Sequence, residues 1–191
     1  MISCITCGNR GSMKSCSDKA LITLEGIDLT EPYGLHLNFD YTDKMILDIG
    51  ADTGTTAEFF INRGAKYVWC VEGDQRRCEI GAENLKALYM DKAQMIPAMM
   101  IKTPYDFDML FSLYGYTGPQ ETDLIKIDIE GWECCLLSMN ESILANQKEF
   151  IIDIHGKILT KLIGDKLENL GFKLLDDVIG DTIHAVKEIA V

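Results

Sequence analysis

The stretch Met45-Ile-Leu-Asp-Ile-Gly50-Ala-Asp-Thr-Gly54-Thr-Thr56 is the most informative part of the sequence for the fold class. Its opening run, Met45–Ile49, is mainly apolar, which predicts a buried strand that leads into a tight turn at Gly50. Apolar residues at helical spacing follow over 55–63 and stop before Gly64, where a helix is expected to end. The stretch therefore predicts a strand, a glycine turn and a helix, which together begin a strand–helix–strand unit.

The same alternation continues to the C-terminus. Further strands are predicted over 67–71, 94–101, 124–129, 149–155, 172–175 and 182–188, and helices over 75–89, 106–114, 132–139 and 158–170. Strands that alternate with helices imply right-handed crossovers and a mostly parallel sheet covered on both faces. The dipeptide Gly180-Asp181 favours an antiparallel hairpin for the last two strands. Ligands of such sheets bind beyond the carboxyl ends of the strands, where the strand order reverses.

The composition is that of an ordinary globular chain. With 191 residues, 47% of them apolar and 25% charged, one domain's worth of sequence is expected. The net charge of −12 repels nucleic acid and anionic membranes, so neither is a predicted partner. No apolar run reaches the roughly 18 residues of a membrane span, and no signal peptide is visible. Seven cysteines without such a signal predict reduced thiols or metal ligands in the cytoplasm.

The turn after the first strand has the features of a site for an adenosine-containing cofactor. Gly50 and Gly54 allow a sharp turn and a close approach of ligand to backbone. Glu72, at the end of the second strand about 20 residues on, can accept hydrogen bonds from a ribose diol. Because Asp52 stands in the turn, the pyrophosphate of NAD is disfavoured, whereas the cationic S-adenosylmethionine is favoured. A glycine turn without a ligand is the alternative.

The stretch Leu124-Ile-Lys-Ile-Asp-Ile-Glu-Gly-Trp-Glu133 is the most distinctive in the chain. Strand alternation predicts that Lys126, Asp128 and Glu130 point to the same side, with both acids at the carboxyl end. Charged side chains in an apolar strand are costly unless they reach solvent or pair with each other. The stretch therefore predicts either site residues or an ion pair of Lys126 with one acid, exposed at the end of the sheet.

Two motifs in this order resemble those of the FkbM family of class I S-adenosylmethionine-dependent methyltransferases. The family's Asp-x-Gly-Ala-Asn-x-Gly turn is matched over residues 48–54, with Asp52 in place of the usual Asn. The signature Lys-Ile-Asp-x-Glu-Gly-x-Glu is matched over residues 126–133. A weaker third element, an acidic residue two positions before a histidine, is present as Asp153 and His155. The agreement runs from about Met45 to the C-terminus.

The resemblance implies a Rossmann-like class I methyltransferase fold: a mostly parallel seven-stranded sheet with helices on both faces and an antiparallel last strand. The methyltransferase domain is expected over residues 41–191, after an N-terminal extension over residues 1–40 that is a candidate lid. The implied activity is methyl transfer from S-adenosylmethionine to a hydroxyl of a sugar or another small molecule. The donor-site residues lie in the turn and at the end of the second strand: Asp48, Gly50, Ala51, Asp52, Gly54, Glu72 and Gly73, the last standing where the family often has proline.

Methyl transfer to a hydroxyl needs a base within hydrogen-bond reach. His155 is the first choice because imidazole titrates near neutrality, and Asp128 and Glu130 are the other catalytic candidates. A second scheme uses Mg²⁺ or Mn²⁺ to acidify the hydroxyl. The ligands of that ion would come from neighbouring strand ends: Asp128, Glu130, Asp153 and His155. A structural role for His155 is the alternative.

Cysteines near the N-terminus give a second metal hypothesis. Cys4, Cys7 and Cys16 have the spacing of part of a zinc knuckle, and His36 is a candidate for completing the tetrahedral set that structural zinc takes. Otherwise His36 and His184 are expected to be surface or packing residues. The remaining cysteines are expected to pack as small hydrophobes: Cys70, Cys78, Cys134 and Cys135.

Two other functions are alternatives to a cytoplasmic small-molecule methyltransferase. One is a non-catalytic binding or scaffold module that keeps the fold. The presence of four acids at strand ends weighs against it: Asp48, Glu72, Asp128 and Glu130. The other is an NAD-dependent oxidoreductase, which the spacing of Gly50 and Gly54 disfavours. The sequence does not identify the acceptor, and it leaves a homodimer open.

Overall fold

The computed structural model describes residues 39–89, 91–98, 122–176 and 181–187. The strands are β1 Met45–Ile49, β2 Tyr67–Glu72, β3 Ala93–Pro97, β4 Leu124–Ile127, β5 Glu149–Asp153, β6 Phe172–Leu175 and β7 Thr182–Lys187. The helices are α1 Thr55–Asn62, α2 Gln75–Tyr89, α3 Cys135–Ser138, α4 Glu141–Ala145 and α5 Lys157–Asn169.

These strands form one sheet in the order β3-β2-β1-β4-β5-β7-β6. The strands from β1 to β5 run parallel, whereas β7 is antiparallel to both β5 and β6. Consecutive residues of β1, β2 and β4 are buried, as in a sheet that is covered on both faces. The predicted mostly parallel seven-stranded sheet, its antiparallel last strand and the terminal hairpin are therefore confirmed.

The two halves of the sheet grow in opposite directions. The chain moves outward from β1 to β2 and β3, and later outward on the other side from β4 to β5. Right-handed crossovers in opposite directions place the helices on opposite faces, and α1 contacts α2 while α3 contacts α5. The strand order reverses between β1 and β4, so the carboxyl ends of these two strands form the switch point where ligands of such sheets bind.

Several predicted strand ends are wrong. β4 ends at Ile127, because Glu130 and Gly131 adopt left-handed backbone with φ of 54° and 96° and end the strand alternation. β5 ends at Asp153 rather than at residue 155. β3 ends at Pro97 rather than at residue 101, although the backbone N–H of Ala98 still donates to the carbonyl oxygen of Glu72 at 3.1 Å.

The region between β4 and β5 is also organised differently from the prediction. The helix predicted over 132–139 is reduced to α3, and the pattern did not predict α4. Asn140 caps α4, since its side chain accepts a hydrogen bond from the backbone N–H of Ser142 at 2.9 Å. Cys70 and Cys78 are buried as expected, but Cys134 is exposed and Cys135 is half-buried.

Some predictions lie outside the described residues. They concern the N-terminal extension over residues 1–40 apart from its last two positions, the helix over 106–114, and the zinc hypothesis with Cys4, Cys7, Cys16 and His36. His184 is described: it is buried in β7 with Nε2 3.1 Å from Oε1 of Glu149, which agrees with a packing role. Within the described segments, no helix combines the length and the apolar character needed to cross a bilayer.

Candidate functional site

The turn after β1 consists largely of left-handed backbone, which glycine adopts without strain. Gly50 and Gly54 have φ of 83° and 82°, and Asp52 between them has φ of 48°. The backbone N–H groups of Gly50 and Ala51 both donate to the carbonyl oxygen of Val71, at 2.9 and 3.1 Å. These bonds hold the turn against the carboxyl end of β2. α1 begins directly after Gly54 without a side-chain cap.

Glu72 connects the end of β2 to this turn. The residue is 9% exposed, and its carboxylate oxygens accept hydrogen bonds from the backbone N–H of Asp52 at 2.9 Å and of Asp74 at 2.7 Å. A carboxylate oxygen has a second lone pair, so Glu72 can still accept from a diol. Gly73 is exposed beside it, and Arg77 Nη1 lies 3.4 Å from Asp52 Oδ1, which offsets part of the local negative charge.

Lys126 is a buried cation at the switch point. Its Nζ lies 3.1 Å from Oδ1 of Asp48 and 3.6 Å from Oδ2 of Asp128, and it donates a hydrogen bond to the carbonyl oxygen of Gly50 at 3.2 Å. Burial lowers the pKa of Lys126, but the two carboxylates outweigh this effect and the pKa lies above its ordinary value. The predicted ion pair of Lys126 is therefore present, but it is buried rather than exposed and it joins two acids.

Asp48 is a buried acid beside Lys126. The residue is 0% exposed, and burial raises the pKa of its carboxyl group although the charge of Lys126 acts in the opposite direction. The ammonium of Lys126 contacts the Asp48 carboxylate and also donates to the backbone of Gly50, so it links Asp48 to the turn after β1. The donor-site role of Asp48 stays a prediction.

The loop after β4 folds around Glu133. The Glu133 side chain is 0% exposed, and its Oε1 accepts the backbone N–H groups of Ile129 and Gly131, both at 3.1 Å. The same oxygen lies 3.2 Å from Nδ1 of His155, which follows β5. The loop after β4 is therefore tied to the loop after β5 through one buried carboxylate.

His155 is half-exposed between acids. Its Nε2 lies 3.5 Å from Oε2 of Glu130, whose side chain is 83% exposed. Desolvation lowers the pKa of His155, but the hydrogen bond to Glu133 and the charges of Glu133, Glu130 and Asp128 outweigh it, so the pKa lies above its ordinary value. The imidazole is therefore a stronger base than a histidine in water.

Three of the four predicted ligands of a divalent ion lie together. Asp128, Asp153 and His155 each offer one ligand atom, and these atoms lie within 4.8 Å of one another. Glu130 is not part of this group, since the left-handed backbone directs its side chain outward. Asp153 also accepts a hydrogen bond from the Thr182 hydroxyl at 3.3 Å. Two carboxylates and an imidazole suit Mg²⁺ or Mn²⁺.

The structure thus brings the predicted residues to one edge of the sheet. The donor-site candidates lie at the end of β1, in the turn after it and at the end of β2. The catalytic candidates lie in the loops after β4 and β5, and the roles of both groups stay predictions. Sequence reasoning assigned no site role to Lys126 or Glu133, although both belong to the motif over 126–133. Lys126 contacts Asp48 and Gly50, and Glu133 contacts His155. These partners are distant in sequence, so a strand pattern does not reveal them.

Comparisons with known proteins bear on the fold. No protein-family profile and no curated protein matches this chain. Among solved structures, precorrin-6y C5,15-methyltransferase from Geobacter metallireducens matches with a TM-score of 0.53 at 15% identity, over 80% of this chain and 84% of that one. Streptococcus pneumoniae Sp1610 in complex with S-adenosyl-L-methionine matches with a TM-score of 0.54 at 17% identity, over 80% and 71% of the two chains.

A third structure, TrmK of M. capricolum in complex with S-adenosyl-homocysteine, matches with a TM-score of 0.51 at 15% identity, over 76% of this chain and 62% of that one. At these identities, a structural match bears on the fold alone. The three matches, the strand order and the antiparallel β7 together show that the chain has the fold of class I S-adenosylmethionine-dependent methyltransferases.

Proposed function

We propose that this chain is an S-adenosylmethionine-dependent methyltransferase of the FkbM type that methylates a hydroxyl of a sugar or another small molecule. The fold and the two motifs over 48–54 and 126–133 support the proposal. The proposal includes a cytoplasmic location and a small-molecule acceptor. It holds for a monomer and for a homodimer. The net charge of −12 argues against a nucleic-acid acceptor.

One contact carries the donor half of the proposal: the backbone N–H of Asp52 donates to the Glu72 carboxylate at 2.9 Å. This hydrogen bond places the carboxylate of Glu72 against the glycine turn, so the turn and Glu72 together form a negatively charged site. Such a site stabilises the sulfonium and ammonium groups of S-adenosylmethionine, whereas it repels a pyrophosphate. The ribose diol would bind Glu72, and the methionine end would lie along the backbone of Gly50 and Gly54.

The chemistry requires alignment and one base. The acceptor oxygen forms a bond to the methyl carbon as the bond from that carbon to sulfur breaks, and S-adenosylhomocysteine leaves as a neutral thioether. The hydroxyl proton goes to Nε2 of His155, whose raised pKa makes it a stronger base. Glu130 then stabilises the imidazolium from 3.5 Å. Asp128 is the weaker candidate for the base because it contacts the buried ammonium of Lys126.

A metal-assisted scheme is the alternative to His155 as the base that activates the acceptor hydroxyl. Asp128, Asp153 and His155 would hold Mg²⁺ or Mn²⁺, and the ion would lower the pKa of the acceptor hydroxyl. In that scheme His155 binds the ion and does not take the proton. Chelation of divalent ions distinguishes the two schemes, because only the second loses activity.

Calorimetric titration tests the donor half directly. S-adenosylmethionine and S-adenosylhomocysteine are each titrated into the full chain, with NAD as the control ligand. Binding of both sulfur compounds without NAD is the expected result, and transfer of a labelled methyl group to sugars, small alcohols and amines then identifies the acceptor. Binding of NAD alone would favour the oxidoreductase, and binding of none of the three would favour a scaffold module.

A further inference from the structure

Glu133 is placed to control one property of His155: which ring nitrogen carries the proton when the imidazole is neutral. The Glu133 side chain is 0% exposed, and its Oε1 lies 3.2 Å from Nδ1 of His155. The two residues come from the loops after β4 and β5. In a neutral imidazole, one nitrogen donates and the other accepts, and the hydrogen bond at one nitrogen decides the role of the other.

The direction of this hydrogen bond follows from the other contacts of Glu133. Oε1 receives the backbone N–H groups of Ile129 and Gly131 at 3.1 Å, and Oε2 receives the N–H of Gly131 at 3.1 Å. Backbone N–H groups only donate, so both carboxylate oxygens present lone pairs to the loop. The oxygen that faces Nδ1 is therefore an acceptor, and the hydrogen between the two residues belongs to Nδ1.

We infer that Glu133 is a positioning residue that holds neutral His155 in the Nδ1–H tautomer, so that Nε2 presents its lone pair at the carboxyl edge of the sheet. Nε2 lies 3.5 Å from Oε2 of the exposed Glu130, and 39% of the His155 side chain is exposed, whereas Glu133 at Nδ1 is buried. A proton acceptor with this orientation is what a hydroxyl substrate needs.

The role of Nε2 in proton transfer rests on the proposed function, but the tautomer does not. The tautomer is a property of the folded chain, and it is measurable without an acceptor or a methyl donor. A failed titration with S-adenosylmethionine would remove the proposed function and leave the tautomer assignment standing. A wrong tautomer would remove the inference while donor binding stayed intact.

Heteronuclear NMR of the imidazole nitrogens tests the tautomer, because protonated and unprotonated ring nitrogens have well-separated chemical shifts. The chain has three histidines, and the signals lost in His155→Gln assign the ring of interest. Above the pKa of the imidazole, the wild-type chain is expected to show His155 protonated at Nδ1. Protonation at Nε2 in the wild-type chain would overturn the inference, whatever the variants do.

Three variants assign the effect to Glu133. Glu133→Ala removes the acceptor and is expected to lose the preference for the Nδ1–H tautomer, whereas Glu133→Gln keeps an oxygen acceptor and is expected to retain it. Glu130→Ala is the matched control, since it removes an acid of the same loop from the Nε2 side. Retention of the tautomer in Glu133→Ala, or its loss in Glu130→Ala, would contradict the assignment.

A kinetic readout separates positioning from a purely structural role. With the acceptor identified by the methyl-transfer screen, Glu133→Ala is expected to lower kcat by about tenfold to a hundredfold. The affinity for S-adenosylmethionine should stay within about twofold, because the hydrogen bonds and ion pairs of Glu133 and His155 among the described residues are with the loops after β4 and β5 and not with the turn over residues 50–54. Glu133→Gln should recover most of the lost turnover. A fall in donor affinity that parallels the fall in kcat would instead indicate a structural role and overturn the inference.

Discussion

Gly50 and Asp128 approach each other so closely that no side chain fits between them. A Cβ on Gly50 would lie 1.7 Å from the carbonyl oxygen of Asp128. These residues follow β1 and β4, the two strands between which the strand order reverses. The backbone N–H of Asp128 also donates to the carbonyl oxygen of Ile49 at 2.9 Å. Glycine at this position therefore allows the backbones at the ends of β1 and β4 to contact each other at the candidate site.

Gly50→Ala is predicted to destabilise the chain by at least about 3 kcal/mol, because overlap with backbone adds to the strain of a positive φ. Gly131→Ala is the matched control. Gly131 also has a positive φ, but nothing lies within 4 Å of its added Cβ, so a cost of about 1–2 kcal/mol is expected. Urea unfolding of both variants measures the difference, and equal costs would refute the overlap.

Lys126→Met is predicted to destabilise the fold by about 3–5 kcal/mol, since it leaves the fully buried Asp48 carboxylate without its counter-charge. The double variant Lys126→Met/Asp48→Leu removes both charges and is expected to recover much of that stability. Equilibrium unfolding of the single and double variants measures the coupling. Strictly additive costs would show that the two charges do not stabilise each other.

Glu72→Gln is predicted to weaken S-adenosylmethionine binding by about tenfold or more. The amide group of Gln can accept only at its oxygen, so one of the two backbone N–H groups, that of Asp52 or of Asp74, loses its acceptor. Glu79→Gln, on the exposed face of α2, changes the charge equally and serves as the control. Calorimetry compares the two variants with wild type. Equal donor affinity in all three chains would remove Glu72 from the donor site.

The pH dependence of turnover is predicted to follow His155. Its raised pKa keeps the imidazole protonated to higher pH than the ordinary value of 6.5, and the proton must leave before His155 acts as a base. The rate should therefore rise with pH through a midpoint above that value. The sign for stability is opposite: the contribution of protonated His155 is full below the ordinary pKa and is lost as pH rises through the raised pKa.

His155→Ala serves as the control for this profile. The variant should lose the ionisation from the profile and lower turnover, with donor affinity nearly unchanged. An unchanged profile in His155→Ala would assign the ionisation to another group. A loss of donor affinity would place His155 in the donor site.

Metal removal is predicted to leave methyl transfer unchanged if His155 is the base. Dialysis against a chelator, followed by activity measurements with and without added Mg²⁺ or Mn²⁺, provides the test. Activity that is lost on chelation and restored by either ion would favour the site formed by Asp128, Asp153 and His155. In that case Asp153→Asn should weaken restoration by the ion.

Much of the fold could be read from local patterns. The run Met45–Ile49 and its following glycine turn predicted β1 and the start of α1, and the strand alternation predicted a parallel sheet. The antiparallel last strand was implied by the family resemblance and is confirmed. The strand predicted to reach Ile129 ended at Ile127, because hydropathy does not report that Glu130 adopts left-handed backbone.

Motif order and strand alternation are local properties, so the residues that reach the carboxyl edge of the sheet could be predicted from the sequence. The pairing of their charges depends on contacts between strands and loops that are distant in sequence. Lys126 pairs with Asp48 across neighbouring strands, and Glu133 of one loop accepts from the imidazole of His155 in another. The same turn directs Glu130 outward and encloses Glu133. Burial sets the cost of each unpaired charge, and burial is a property of the packed chain rather than of any local stretch.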